Sequence, residues 1–285
     1  MSPPPITLQP VTPRSWLFVP ADSERKIAKA LDSAADALIF DLEDSVAPSQ
    51  KATARAILKA LPERAGGPRW WIRVNPMDSA FHGDDLKLFA RGDFAGLVLP
   101  KSETGADIAQ LAHRTGNIPV HAIVGETPAG LFGTLSYRQP GSALTAMSWG
   151  AEDLSAALGA SSKCDADGAL SFTYRLARSL CLAAAVAAGV QPVDTVFADF
   201  RDEDGLRREA EAAAREGFTG KLAIHPAQVP VINAAFTPSD QEIAHARAIV
   251  DAFAAEPAAG VLAVAGKMVD RPHLIQAQRV LARQR

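Results

Sequence analysis

Eight short apolar segments, at 16–20, 37–42, 70–75, 96–100, 120–125, 143–149, 195–198 and 222–225, alternate along this chain with stretches of helical periodicity. Segments apolar at nearly every position read as strands buried on both faces, and alternation with helices makes such strands parallel. Eight such units point to a closed (β/α)8 barrel rather than an open sheet. The intervening helices are predicted at 24–34, 50–61, 106–113, 172–188 and 204–216. No Gly-x-Gly-x-x-Gly follows the first strand, so a dinucleotide-binding sheet loses its main support.

The barrel is expected over 14–236, after a flexible tail at 1–13 that carries three consecutive prolines. The segment from 237 to 285 does not fit a further barrel unit. A helix at 228–235 leads to Thr237-Pro238-Ser239-Asp240, a cap signal for a helix at 241–255, then a stretch at 260–268 and a last helix at 273–283. This C-terminal helical extension must pack either on its own barrel or on a neighbouring subunit.

Composition narrows the function classes. With 48% hydrophobic residues and 21% charged, the chain supports a large core and is not disordered. A formal net charge of −3 carries no basic nucleic-acid footprint. Cys164 and Cys181 make neither a disulfide framework nor a zinc pattern, and both read as packing residues. The longest apolar helical run, 180–190, is short of the roughly 20 residues that cross a bilayer, and no secretory signal opens the chain. The expectation is a cytoplasmic protein with no membrane and no nucleic-acid partner.

In such a barrel the active site forms at the C-terminal ends of the strands. Six of the eight predicted strand ends carry charged or imidazole groups: Asp41-Leu42-Glu43-Asp44, Arg73-Val74-Asn75, Lys101, Glu126, Glu152-Asp153 and His225-Pro226. Converging carboxylates need a positive group among them, and a hard divalent cation with oxygen ligands, Mg²⁺ for choice, meets that need. Glu126 and Asp153 are the best direct ligands, while Glu43 and Asp44 would hold the metal's waters or orient other groups. The competing reading makes each carboxylate a helix cap, above all Asp153 and Asp44. Arg73, with Lys101 nearby, supplies fixed positive charge for a substrate carboxylate or a developing enolate oxygen. His225, before a proline, reads as a structural hydrogen-bonder as readily as a catalytic group.

An ordered set of strings then resembles the citrate lyase β-subunit-like family, which includes malyl-CoA and citramalyl-CoA lyases and thioesterases. The strings are Arg14-Ser15-Trp16-Leu17-Phe18-Val19-Pro20, Asp41-Leu42-Glu43-Asp44, Arg73-Val74-Asn75, Leu99-Pro100-Lys101, Glu126-Thr127-Pro128 and Gly150-Ala151-Glu152-Asp153. Two late strings, Gly217-Phe218-Thr219-Gly220-Lys221-Leu222-Ala223-Ile224-His225-Pro226 and Gly266-Lys267-Met268-Val269-Asp270-Arg271-Pro272, complete it. The resemblance implies a TIM barrel of the phosphoenolpyruvate/pyruvate type, Mg²⁺ on Glu126 and Asp153, and Arg73 at the reacting carbonyl. It also implies that Arg14, Arg25 and Lys29 lie near the phosphates of CoA. Asp270 is expected to reach the active site of an adjacent subunit in a homo-oligomer, a trimer or a multiple of one.

The function this implies is Mg²⁺-dependent cleavage of a 3-hydroxyacyl-CoA, of the malyl-CoA or citramalyl-CoA type, to acetyl-CoA and a 2-keto acid. Asp270 would trade a proton with the acetyl-CoA methyl group or activate water. Four alternatives stay open: a thioesterase acting on the same esters, a subunit of a multi-protein citrate lyase acting on a carrier-protein thioester, an aldolase acting without CoA, and a non-catalytic binding barrel.

Overall fold

The structure is a computed structural model and describes residues 12–62, 66–138, 141, 143–166 and 168–284. Of the expected N-terminal tail, all but Thr12 and Pro13 lie outside the described residues. The described residues divide into two compact units, one over 13–233 and a C-terminal one over 234–284.

Eight parallel strands close the first unit into a barrel in sequence order. They are β1 (Ser15–Pro20), β2 (Ala37–Asp41), β3 (Arg69–Arg73), β4 (Gly96–Ser102), β5 (Val120–Val124), β6 (Leu144–Trp149), β7 (Gln191–Asp194) and β8 (Gly220–Ala223). Between and after them run α1 (Glu24–Leu31), α2 (Lys51–Ala60), α3 (His82–Leu86), α4 (Gly105–Thr115), α5 (Pro128–Gly133), α6 (Ala151–Leu158), α7 (Phe172–Ala188), α8 (Glu203–Glu216) and α9 (Gln228–Ala235). The fold is the predicted (β/α)8 TIM barrel.

Alternate residues of each strand fill the barrel, as the two-residue period requires. Trp16, Ala37, Ile39, Trp71, Val98, Ile123, Ala146, Val193 and Leu222 form one buried cluster inside it. His121 joins them, edge-on to Trp16 at 4.6 Å and hydrogen-bonded through Nε2 to Ser148 Oγ at 2.9 Å. Burial pushes its pKa down to about 3, so it is a neutral core residue. The opposite parity, including Leu17, Leu38, Phe40, Ile72, Leu97 and Val124, is buried under the helices.

The seventh strand corrects the sequence reading. It lies at Gln191–Asp194, four residues before the predicted 195–198, and its second residue is Pro192. A proline and a terminal aspartate disguise a buried strand, because one removes a donor and the other is expensive to bury alone. Asp194 is tolerated because Arg178 Nε at 3.0 Å, Lys221 Nζ at 3.3 Å and Trp149 Nε1 at 3.0 Å all point at its carboxylate. The eighth strand also starts earlier than expected, so His225 sits two residues beyond its end.

In the C-terminal unit, α10 (Asp240–Ala255) has its N-cap at Ser239, within the expected cap signal, and Ser239 forms a capping box with Glu242. The stretch read as 260–268 is a hairpin of β9 (Val261–Val264) and β10 (Lys267–Asp270). Ala265 and Gly266 both take positive φ, 49° and 74°, as a two-residue turn between twisted strands demands. α11 (Arg271–Ala282) follows, and Ala246, Ile249, Phe253, Val264, Val269 and Ala277 give this unit a core of its own. Among the described residues, no helix is long and apolar enough to cross a membrane.

Candidate active site

The register of the barrel assembles the site. Asp41 and Arg73 are the last residues of β2 and β3 and lie directly opposite each other, on the parity that faces inward. Their side chains meet as a fork: Arg73 Nε donates to Asp41 Oδ1 at 2.7 Å and Nη2 to Oδ2 at 2.6 Å. The guanidinium also lies over the Phe18 ring, 4.7 Å from its centroid. Its Nη1 stands 3.0 Å from Glu43 Oε2, at an angle that leaves this buried oxygen without a hydrogen bond. Burial works against both charges of the fork, yet each holds the other ionised: Arg73 rises above its ordinary value and Asp41 falls below it.

Lys101 is aimed by a break in the sheet. The β4–β5 register shifts between Leu99 and Ser102, and Lys101 takes a left-handed φ of 51°. Bulges beside active sites commonly re-aim one residue in this way. Its backbone N–H donates to Glu126 Oε2. Its ammonium reaches Glu43 Oε1 at 2.6 Å, Asp153 Oδ1 at 3.2 Å and, more remotely, Asp44 Oδ2 at 3.9 Å. Burial opposes that charge, but Glu43 more than offsets it and the Lys101 pKa goes up.

Glu126 follows β5 and is buried, 3% exposed. Desolvation, reinforced by Asp153 and Glu43, pushes its carboxyl up to about 8. Gly150 makes this position possible, since a Cβ there would lie 2.4 Å from Glu126 Cγ. Asp153 stands in the first turn of α6, whose N-cap Gly150 offers no side-chain cap, and its carboxylate turns to Lys101 instead of capping the helix. Glu43 is buried within the cluster and its pKa is raised by burial despite Arg73, whereas Asp44 is exposed at the rim.

Five carboxylates therefore share one mouth with two cations, Arg73 and Lys101. The raised carboxyls of Glu126 and Glu43, and the unbonded Oε2 of Glu43, mark a place short of positive charge. Among the described residues no three His, Cys, Asp or Glu side chains stand as a ready-made metal cage. Two hard carboxylates, Glu126 and Asp153, with the remaining positions left to water and substrate oxygens, fit Mg²⁺ and do not fit a metal that demands a full protein cage.

Arg25 and Lys29 are exposed one turn apart on α1, which follows the mouth end of β1. Arg14 precedes β1 and so lies at the opposite end of the barrel, where its Nε and Nη2 grip Asp36 at 2.9 and 3.0 Å. That placement sets Arg14 at the end of the barrel away from Arg25 and Lys29, with which it was expected to lie near the CoA phosphates. His225 accepts a hydrogen bond from Ala227 N at 3.2 Å and stacks on Phe200. Asp270 belongs to the C-terminal unit, where it caps α11 and meets His273 Nδ1 at 2.5 Å.

Sequence reading missed the bracing behind the mouth. The buried Lys51 donates to the carbonyl oxygens of Leu42 and Glu43 at 2.7 and 3.0 Å, fixing the turn that presents Glu43. One turn along α2, Arg55 holds Asp85 at 2.8 Å, and Asp85 in turn receives both the backbone and side-chain N–H of Asn75. Only the i, i+4 spacing of Lys51 and Arg55 was visible beforehand, and many solvated helix faces share it.

Comparison with known proteins fits this geometry. Residues 14–131 match the family model "HpcH/HpaI aldolase/citrate lyase", and 141–285 match "C-C_Bond_Lyase of the TIM-Barrel fold". The chain is 39% identical over 274 residues to a (3S)-malyl-CoA thioesterase of Cereibacter sphaeroides, covering 95% of this chain and 94% of that protein. It is 32% identical to the citrate lyase subunit beta of Escherichia coli, over 95% and 93% of the two chains. Among solved structures, it superposes with a TM-score of 0.81 and 38% identity on the protein CitE from Mycobacterium tuberculosis in complex with magnesium, acetoacetate and coenzyme A, covering 95% of this chain and 97% of that one. The chain belongs to the HpcH/HpaI aldolase/citrate lyase family.

Proposed function

We propose that this chain is a Mg²⁺-dependent lyase that cleaves a 3-hydroxyacyl-CoA of the malyl-CoA or citramalyl-CoA type to acetyl-CoA and a 2-keto acid. The observation that carries this reading is the buried Glu126 carboxyl, raised to about 8 beside Asp153 and opposite the fixed guanidinium of Arg73. A relative named for malyl-CoA and a neighbour that binds magnesium and coenzyme A support the substrate class.

Glu126 and Asp153 would hold the metal, which would supply a Lewis acid for the oxygens of the keto-acid fragment. Arg73, pinned by Asp41 and Phe18, faces the negative charge that grows on the acyl fragment as the carbon–carbon bond breaks. A preorganised donor of this kind is worth about 3–4 kcal/mol. Lys101 binds the substrate carboxylate, and Arg25 and Lys29 lie on the path of the CoA phosphates. Asp270, supplied by the C-terminal unit of a neighbouring subunit in a homo-oligomer, carries the proton to or from the acetyl methyl group.

The second reading is a thioesterase acting on the same esters, favoured by the name of that same relative. Incubation with Mg²⁺ and racemic malyl-CoA or citramalyl-CoA, following free thiol and keto acid together, separates the two. Keto acid without thiol supports the lyase, and thiol without keto acid the thioesterase. Neither product from folded, metal-loaded protein overturns both.

A further inference from the structure

The carboxylate of Asp270 is held on one side only. Its Oδ1 lies 2.5 Å from His273 Nδ1 and 3.5 Å from the His273 backbone N. Its Oδ2 has no hydrogen bond or ion pair among the described residues. So close to a carboxylate oxygen, Nδ1 carries the imidazole proton and donates it. The Asp270 backbone N also stands 3.3 Å from Nδ1, a contact that a protonated nitrogen cannot accept, so the shorter contact decides the tautomer.

A capping box ordinarily places Glu or Gln at the third helical position, where its oxygen returns to the N-cap backbone N–H. The imidazole at that position of α11 grips the cap's own carboxylate instead. Such a pair does little for folding, because the two side chains are 46% and 37% exposed and exposed ion pairs contribute little. Nothing else competes for the carboxylate. Arg271 turns to Pro257 O and lies over the Phe253 ring, and Val261 faces Asp270 across the hairpin. Phe253, Val269 and Ala277, all buried, anchor the hairpin and α11 beneath the pair. The imidazole contact holds the Asp270 carboxyl below its ordinary value, and so ionised.

We infer that His273 is a positioning residue for proton transfer: its Nδ1–H locks Oδ1 of Asp270 and leaves Oδ2 to exchange a proton with the acetyl methyl group. This deepens the lyase reading given above and rests on Asp270 being its proton carrier. In the condensation direction the methyl C–H bond breaks and Oδ2 takes the proton. The freed electron pair forms the bond to the keto carbon, whose oxygen takes a proton from water, and cleavage reverses each transfer. A carboxylate free to turn would present Oδ2 in only part of its conformers, and misplacing a reacting group by about 1 Å can cost about 100-fold.

The test is condensation of acetyl-CoA with glyoxylate or pyruvate under saturating Mg²⁺, run with ordinary and with methyl-deuterated acetyl-CoA. His273→Ala should lower kcat by about 10–100-fold and leave the KM for acetyl-CoA and the melting temperature near wild type. It should also enlarge the deuterium isotope effect, because proton transfer then limits the rate. His273→Asn, whose amide can donate from the place of Nδ1, should recover most of kcat. If Asp270→Asn is inactive, an unchanged kcat in His273→Ala, a fall with no larger isotope effect, or no recovery in His273→Asn overturns the role of His273 alone. Wild-type kcat in Asp270→Asn, or a wild type that joins neither keto acid to acetyl-CoA, overturns the reading of Asp270 and the pairing with it.

Discussion

Two clusters of buried charge sit in one barrel and behave in opposite ways. Between β7, β8 and the helices outside them, Asp194 is wholly buried, but Lys221 and Arg178 both point at it. Lys221 is itself wholly buried and has a second partner in Glu209 at 2.6 Å. Burial alone would push Asp194 up, yet the two cations hold it below its ordinary value. At the mouth the balance is reversed: burial drives Glu126 and Glu43 up, and the cations beside them do not offset it. The first arrangement is complete within the chain and serves the fold. The second is complete only when something positive arrives.

The comparison breaks most visibly through Asp194. Asp194→Asn should cost about 3–5 kcal/mol in chemical denaturation, since it strands Lys221 and part of Arg178 in the interior. Turnover per folded molecule should stay near wild type. If stability is unchanged, the cluster is not the structural one.

Glu126→Gln should do the reverse. The amide copies the protonated form that burial already favours, so stability should change by no more than about 1 kcal/mol. Activity should fall more than about 100-fold, because even groups that only orient a metal ligand are worth about 10–100-fold. Gly150→Ala sharpens the point with no change of charge. Its methyl group meets Glu126 Cγ, so Mg²⁺ affinity should weaken alongside a loss of about 1–3 kcal/mol from overpacking. Intact metal binding in that variant would mean Glu126 is not held where its ligand role requires.

Much of the mouth was legible because a closed barrel leaves charged residues at the ends of apolar segments few places to go but its open end. Arg73, Lys101, Glu126 and Asp153 all come together as the strand pattern implied. Arg14 did not, because a short string carries no information about which end of a strand faces the site. β7 was misplaced because Pro192 and Asp194 break the apolar pattern, and the partners that make Asp194 tolerable come from α7 and β8. Lys51, Asp85 and Gly150 act through contacts spanning loops, and such contacts leave no periodic trace. The bulge that turns Lys101 toward Glu43 was equally silent.

The most direct test of the central claim, that the mouth awaits a divalent cation, is the Mg²⁺-induced rise in melting temperature followed from about pH 5 to about pH 9 in wild type and Glu126→Gln. With a folded pKa of about 8 against an ordinary 4.5, Glu126 contributes stability that is full below the ordinary value and is lost as pH rises through about 8. Mg²⁺ binds the ionised form, so its stabilisation should grow with pH across that window in wild type. In Glu126→Gln the shift should be small and flat. A shift in wild type that ignores pH, or one of equal size in both proteins, would contradict the account.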